Sequence, residues 1–210
     1  MNQIEFFAKW SALHGNAEIK GIVKAWLKIS FGSAKFISVL RITPNLLTFL
    51  GIVFAIAMAA NPLSLWTIPL LVLSLYADGI DGSVAIYQNR ASHFGAVLDS
   101  VADRVSEALW FYVAYRIGAP AWLVLLTYVI ASTQEYARAR LGGLGIGDVG
   151  VVTPAERPVR ASFIFIALVA YALGLSIVTP VLAVLAVLQV FSFYLVGRWA
   201  YNCLRNNFRA

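Results

Sequence analysis

Four of the ten acidic residues lie within 26 consecutive positions of a chain in which only 12% of the residues are charged. Asp78 and Asp81 are three residues apart, and Asp99 and Asp103 are four apart, so each pair projects from one side of a helix. Crowded carboxylates repel one another, and each costs about 2.5–3.5 kcal/mol inside a membrane span. Bound divalent cations offset both penalties, and all-oxygen ligands favour Mg²⁺ or Mn²⁺. The pattern predicts a metal site formed by these aspartates.

Small residues surround the acids and leave the backbone bare. Gly82, Ala85 and Gly95 either let two helices pack closely or let a phosphorylated ligand approach the backbone. Both interpretations stay open at this point. A cation or proton pathway is a second use for the acids, whereas a structural salt-bridge cluster is disfavoured because few basic residues lie beside them.

The elements that carry these residues must be membrane helices. The chain is 60% apolar with a mean hydropathy of +0.79, and its single cysteine excludes a disulfide scaffold. Uncharged runs of 36 and 37 residues follow Arg41 and Arg160, and each is long enough for nearly two spans of about 20 residues. The sequence therefore predicts an all-α polytopic membrane protein with six transmembrane helices, near 45–60, 64–87, 93–116, 120–140, 161–175 and 179–202.

Positive charges fall almost entirely on one side of these spans. That side carries Lys9, Lys20, Lys24, Lys28, Lys35, Arg41, Arg90, Arg138, Arg140, Arg157, Arg160, Arg205 and Arg209, and the other side carries Arg116. By the positive-inside rule both termini are cytoplasmic, and the aspartates lie at the cytoplasmic ends of the second and third spans. The net charge of +6 is thereby explained, and no nucleic-acid partner is expected.

Residues 1–41 form a separate N-terminal segment, and residues 42–205 are expected to be the membrane domain. Lys20, Lys24 and Lys28 recur every four residues among apolar side chains, which is typical of an amphipathic helix lying on an anionic leaflet. An ordinary solvated helix end is the alternative. Glu5 and Lys9 interrupt the first residues, so no cleavable signal peptide is expected. The glycine-rich segment 141–150 is expected to be a loop.

The spacing Asp78-x2-Asp81-Gly82-x2-Ala85, nine residues, Gly95-x3-Asp99-x3-Asp103 resembles the signature of the CDP-alcohol phosphotransferases, also called CDP-alcohol phosphatidyltransferases. The segment Thr43-Pro44-Asn45-x2-Thr48 resembles the same family. The resemblance implies an enzyme of phospholipid biosynthesis, in the cell membrane as a homodimer, with two Mg²⁺ or Mn²⁺ ions. It would move a phosphatidyl group from CDP-diacylglycerol to an alcohol and release CMP on the cytoplasmic side. A soluble CDP-alcohol with a lipid acceptor uses the same motif.

The resemblance also implies roles for individual residues. Asp78, Asp81, Asp99 and Asp103 are the expected metal ligands, with Asp103 also the expected general base. The expected donor-binding residues are Thr48, Asp81, Gly82, Ala85, Arg90 and Gly95. Arg90 is included because the family usually has arginine directly after the alanine, where this chain has Ile86. Arg90 lies about one helical turn further on and can reach back toward a pyrophosphate.

The acceptor is assigned from arginines at the ends of the fourth and fifth spans. Arg138, Arg157 and Arg160 resemble the inositol phosphate-binding positions of bacterial phosphatidylinositol-phosphate synthases, and arginine suits a phosphorylated acceptor. Glycerol 3-phosphate is the alternative acceptor, and plain anchoring on the positive side is the alternative role for each arginine. The departure at Ile86 also leaves open a catalytically impaired relative.

Overall fold

The computed structural model describes residues 1–13, 15–146 and 151–207, and within these ranges it contains eight α-helices and no β-strand. The helices are α1 (Gln3–Leu13), α2 (Gly21–Val39), α3 (Pro44–Ala60), α4 (Thr67–Tyr87), α5 (His93–Arg116), α6 (Ala121–Gly143), α7 (Arg157–Ala172) and α8 (Val178–Asn207). Each of the six predicted helices coincides with one helix from α3 to α8. Residues 141–143 of the expected loop 141–150 belong to α6, so the loop begins later than expected, and residues 147–150 lie outside the described ranges, as does Arg209.

Glycine and proline set most of the helix ends. Gly118 follows α5 with φ +112° and Gly174 follows α7 with φ +67°, conformations that glycine adopts without the penalty of a side chain. Helix α7 begins at Arg157, four residues earlier than expected, because Pro158 fits within the first helical turn. Helix α4 begins at Thr67, three residues later than expected.

Two helices, α4 and α8, are long and apolar enough to cross a membrane among the residues described. Helices α2 and α3 pass the same test only as a pair, and the chain bends by 103° between them. Helix α5 carries Asp99, Asp103, Arg104 and Glu107 within one stretch, which lowers its hydropathy. The prediction of six spans is therefore supported directly for only part of the chain.

The N-terminal segment contains two helices rather than one. Lys24 and Lys28 lie exposed on α2, but Lys20 is its N-terminal cap residue, so the expected row of three lysines is not wholly helical. Helix α1 packs against α2, which the sequence did not predict. Phe6 is the buried residue of α1.

The chain divides into two compact units, which we describe separately. The first consists of Met1–Ala57 and Pro69–Ser106. One buried cluster joins Phe6, Leu27 and Ile86, and a second joins Ala34, Ile37, Leu47, Ile80 and Val84. Because the two clusters draw on the N-terminal helices, α3 and α4, the helix that carries Asp78 and Asp81 is fixed from several directions.

Helices α3 and α4 approach closely at Gly51. The Ser74 hydroxyl donates a hydrogen bond of 2.8 Å to the Gly51 carbonyl oxygen. A β-carbon on Gly51 would lie 3.4 Å from the Ser74 carbonyl oxygen and 3.8 Å from Cβ of Asp78. A β-carbon at Gly51 would thus make ordinary van der Waals contact with α4, so α3 packs closely against the turn of α4 that bears Asp78.

The second unit consists of Met58–Ile68 and the chain from Glu107 onward. Helix α8 packs against α6 and α7. Gln189 on α8 donates a 2.9 Å hydrogen bond to the Gln134 side-chain oxygen on α6, and both side chains are buried. The Ala155 amide donates a 2.9 Å hydrogen bond to the Ser192 hydroxyl, which ties the residues before α7 to α8.

Candidate active site

Three of the four aspartates converge. Asp78 on α4 and Asp99 and Asp103 on α5 each offer a carboxylate oxygen, and the three oxygens lie within 4.8 Å of one another. Oxygens bound to one Mg²⁺ at about 2.1 Å are at most about 4.2 Å apart, and two-ion sites place their ions about 3.5–4 Å apart. The three partly buried carboxylates therefore fit one or two hard divalent ions after a small adjustment.

Asp81 lies outside this group of three oxygens. Its carboxylate is buried and accepts hydrogen bonds from the Thr48 hydroxyl and, at 2.5 Å, from the Gly82 amide. Because Asp81 is three residues after Asp78 on α4, the two side chains point in somewhat different directions. The role of Asp81 as a metal ligand stays a prediction, and its contact with Thr48 joins α4 to α3.

A cavity of about 610 Å³ opens beside the acids, a size typical of small-molecule sites. All six expected donor-binding residues line it, together with Asp78 and Asp99: these six are Thr48, Asp81, Gly82, Ala85, Arg90 and Gly95. A β-carbon on Gly82 would meet no atom within 4 Å, so its bare backbone faces open space. That space favours ligand approach over helix packing as the role of Gly82.

The cavity also has lining residues that sequence reasoning missed. They are Trp10, Leu13, Trp26, Asn45 and His93, among others. Asn45 lies in the family-like segment that contains Thr48, so the motif offered a signal for it. No sequence pattern links Trp10 or Trp26 to the aspartates, because both tryptophans precede Asp78 by more than fifty residues.

In the second unit, Arg160 is fully buried and paired. It donates a hydrogen bond to the Glu107 carboxylate, which is also fully buried, and a 2.6 Å hydrogen bond to the Ala155 carbonyl oxygen. A carboxylate oxygen of Glu135 lies 3.6 Å from a terminal nitrogen of Arg160. These contacts give Arg160 a structural role, which differs from the acceptor-binding role expected from the sequence.

Arg138 is likewise engaged by a carboxylate. Its two terminal nitrogens donate hydrogen bonds of 2.8 and 2.7 Å to the oxygens of Glu156. Burial acts to raise the pKa of Glu156, but hydrogen bonds from Arg138 and Thr153 outweigh it and lower that pKa to about 2. Arg157, the third expected acceptor residue, stacks on Trp110 with its guanidinium carbon 4.9 Å from the ring centre.

The chain is similar to proteins of known function and to solved structures. Phosphatidylinositol phosphate synthase of Cutibacterium acnes is 32% identical over 144 residues, which are 63% of this chain and 70% of that protein. A crystal structure of Mycobacterium tuberculosis phosphatidylinositol phosphate synthase with CDP-DAG bound aligns with a TM-score of 0.66 at 24% identity, over 83% of this chain and 94% of that one. A second structure of that protein, in complex with manganese and citrate, aligns with a TM-score of 0.61 at 22% identity, over 83% and 88%.

These two structures share the fold with this chain. The family profile of CDP-alcohol phosphatidyltransferase matches residues 41–195, a region that contains every aspartate of the candidate site. With its apolar helices and this match, the chain belongs to the CDP-alcohol phosphatidyltransferase family of integral-membrane enzymes.

Proposed function

We propose that the protein transfers a phosphatidyl group from CDP-diacylglycerol to a polyol phosphate, inositol phosphate being the favoured acceptor, and releases CMP. One observation carries the proposal. The oxygens of Asp78, Asp99 and Asp103 converge, and two of these residues line the same 610 Å³ cavity as every expected donor-binding residue. The structural neighbour that has CDP-DAG bound supports the same donor.

The proposed reaction exchanges one phosphorus–oxygen bond for another. The acceptor hydroxyl oxygen attacks the phosphorus that carries the diacylglycerol, the bond to the bridging oxygen breaks, and CMP leaves with the electron pair. Asp103 takes the proton of the attacking hydroxyl. Asp78, Asp99 and Asp103 would hold a divalent ion there, which would supply positive charge to offset that of the pyrophosphate.

The donor side of the cavity has groups suited to a nucleoside diphosphate. The open backbone at Gly82 admits the phosphates. Gly95 on α5 lines the same cavity and has no side chain to narrow it. Arg90, which is exposed and lines the cavity, supplies the cation that Ile86 does not. Thr48 holds the Asp81 carboxylate in place from α3.

The proposed acceptor groups are Arg138, Arg157 and Arg160. A phosphate on the acceptor would exchange with Glu156 for the Arg138 fork, while Arg157 offers a guanidinium held against Trp110. Relatives named as inositol phosphate-transferring synthases support inositol phosphate over glycerol 3-phosphate.

We further propose that helices α3 to α8 all cross the cell membrane, with both termini and the cavity on the cytoplasmic side. Each of these helices presents large exposed apolar side chains, as lipid-facing surfaces do: Phe49, Leu73, Val101, Leu125, Ile166 and Val187 are examples. Helix α2, with Lys24 and Lys28 exposed, would lie in the interface as part of the N-terminal segment 1–41 that precedes the membrane domain 42–205. The family resemblance supports a homodimer, testable by light scattering in detergent.

The test is a CMP-release assay on the purified protein with CDP-diacylglycerol, Mg²⁺ or Mn²⁺, and either inositol phosphate or glycerol 3-phosphate. Release that requires metal and is fastest with inositol phosphate is the expected result.

Asp103→Asn should abolish turnover and leave donor binding largely intact, whereas Glu18→Gln, an exposed matched control, should leave both unchanged. If Asp103→Asn also lost donor binding, Asp103 would act only as a metal ligand and not as the general base. No release with any acceptor would favour an impaired relative, and selective metal flux through vesicles would favour a cation pathway.

A further inference from the structure

We propose that the nucleobase of the CDP-linked donor packs against Trp10 and Trp26, two residues of the N-terminal segment that lies outside the family match. The inference rests on the proposed function, since it concerns the donor of that reaction. Both tryptophans line the cavity that also contains Asp78, Asp81 and Asp99. The matched region begins at residue 41, so neither position belongs to the family signature.

Helix α1 is anchored to the site by an apolar contact. Phe6 is fully buried in a cluster with Leu27 of α2 and Ile86 of α4. The Phe6 ring also lies 5.5 Å from that of Phe31, which in turn lies 5.8 Å from the ring of Tyr87 in an edge-on arrangement. These packed aromatic contacts hold α1 against the C-terminal end of α4.

A polar contact fixes the same helix one turn later. Lys9 donates a 2.7 Å hydrogen bond to the side-chain oxygen of Asn89 and lies 3.3 Å from the Glu5 carboxylate. Asn89 is next to Arg90 in the connection between α4 and α5. Trp10, directly after Lys9, is thereby placed at the cavity and packs against the Phe6 cluster.

Ile86 contributes an apolar side chain to the contact between α1 and α4. Where the family usually has arginine, Ile86 is 6% exposed and packs against Phe6 and Leu27. Ile86 also lines the cavity, but an arginine there would replace an apolar contact of the cluster that anchors α1 with a charged chain. Ile86 therefore forms part of the contact that holds α1, and with it Trp10, at the cavity.

Trp26 reaches the acid motif itself. A β-carbon on Gly79 would lie 3.2 Å from an atom of the six-membered ring of Trp26, so the ring rests on bare backbone next to Asp78. Trp26 is 42% exposed, which leaves part of its ring available to a ligand. Two indole rings at one cavity offer the flat apolar surfaces on which a nucleobase stacks.

The test measures binding of CMP, CDP and inorganic pyrophosphate to the full-length protein in detergent with Mg²⁺ by titration calorimetry. Trp10→Ala and Trp26→Ala should each weaken CMP and CDP binding about tenfold and change pyrophosphate binding less than about twofold, because pyrophosphate has no base. Phenylalanine at either position should retain most of the affinity. Trp122→Ala is the matched control, since Trp122 is 67% exposed and does not line the cavity.

The outcomes separate this inference from the proposed function. Wild-type protein that binds neither nucleotide would contradict both. Wild-type binding of CDP with unchanged affinity in both alanine variants would overturn the inference and leave the proposed function standing. Equal losses for CDP and pyrophosphate would show that the tryptophans shape the metal site and would overturn the inference.

Discussion

Arg160 and Glu107, 53 residues apart in sequence, form an ion pair in which neither side chain has any solvent exposure. Such a pair is costly to break, because removing one partner leaves a buried charge without compensation. Arg160→Met and Glu107→Gln should each lower stability by about 3–5 kcal/mol, or Tm by about 10 °C. The double substitution Arg160→Met with Glu107→Met should recover much of this loss. Unchanged Tm in Arg160→Met would contradict the structural role of the pair.

The pair formed by Arg138 and Glu156 predicts a specific pH dependence. The pKa of Glu156 is lowered from 4.5 to about 2, so its stabilisation is complete above pH 4.5 and is lost as pH falls toward 2. Because this half-buried pair is partly screened by solvent, its contribution at neutral pH is on the order of 1 kcal/mol. In thermal unfolding, the Tm of Glu156→Gln should be lower than that of the wild type at pH 7. Between pH 4.5 and 2 it should fall less steeply than the wild-type Tm. Parallel curves for the two proteins would contradict the assignment.

Thr48 should matter through its hydroxyl group. Thr48→Val keeps the shape of the side chain but removes the hydrogen bond to the buried Asp81 carboxylate. Because a hydrogen bond to a charged group contributes about 1.5–3 kcal/mol, we expect the KM for CDP-diacylglycerol to rise at least about tenfold. Thr48→Ser, which keeps the hydroxyl, is the control and should stay close to wild type. Equal effects of valine and serine would point to packing instead.

Arg90 should act as a cation at the cavity. Arg90→Ala is expected to weaken CDP binding about tenfold, an effect that high salt reduces, while Arg90→Lys retains part of the affinity. Calorimetry at low and high salt provides the measurement. Arg41→Ala, at an exposed position that does not line the cavity, is the control. Unchanged CDP affinity in Arg90→Ala would remove its role as a substitute for the missing family arginine.

Ile86→Arg tests whether the family residue can simply be restored. Because Ile86 is buried against Phe6 and Leu27, we expect a loss of about 2–3 kcal/mol in stability and no gain in donor affinity. Ile86→Leu, a change of shape at constant volume, should cost less than about 1.5 kcal/mol. Tighter CDP binding by Ile86→Arg at unchanged Tm would contradict the packing argument.

The six helices from α3 to α8 were predictable because local features define them. Long uncharged runs, interrupted at Asn61–Pro62 and at Gly174, mark both helices and turns within a few residues. The grouping of Asp78, Asp99 and Asp103 followed from helical spacing and the short connection between α4 and α5. These relationships depend on residues that are near one another in sequence.

Other features depend on tertiary contacts between distant residues and were not predictable. Helix α1 is fixed by Phe6 on Ile86, eighty residues further along, and its own sequence shows no such partner. The pairing of Arg160 with Glu107 depends on the packing of α7 against its neighbours within the second unit. The contact of Asp81 with Thr48 rather than with the three converging oxygens depends on the approach of α3.

Gly51 limits how lineages of this enzyme can diverge. An alanine there is accommodated, since its β-carbon would be 3.4 Å from the Ser74 carbonyl oxygen, but a larger side chain would add atoms at a contact with α4 that the β-carbon already fills. A descendant can therefore retain every aspartate of the motif and still lose activity through a substitution at a position that does not line the cavity. Inactive relatives of this kind would escape a survey of the acid motif alone.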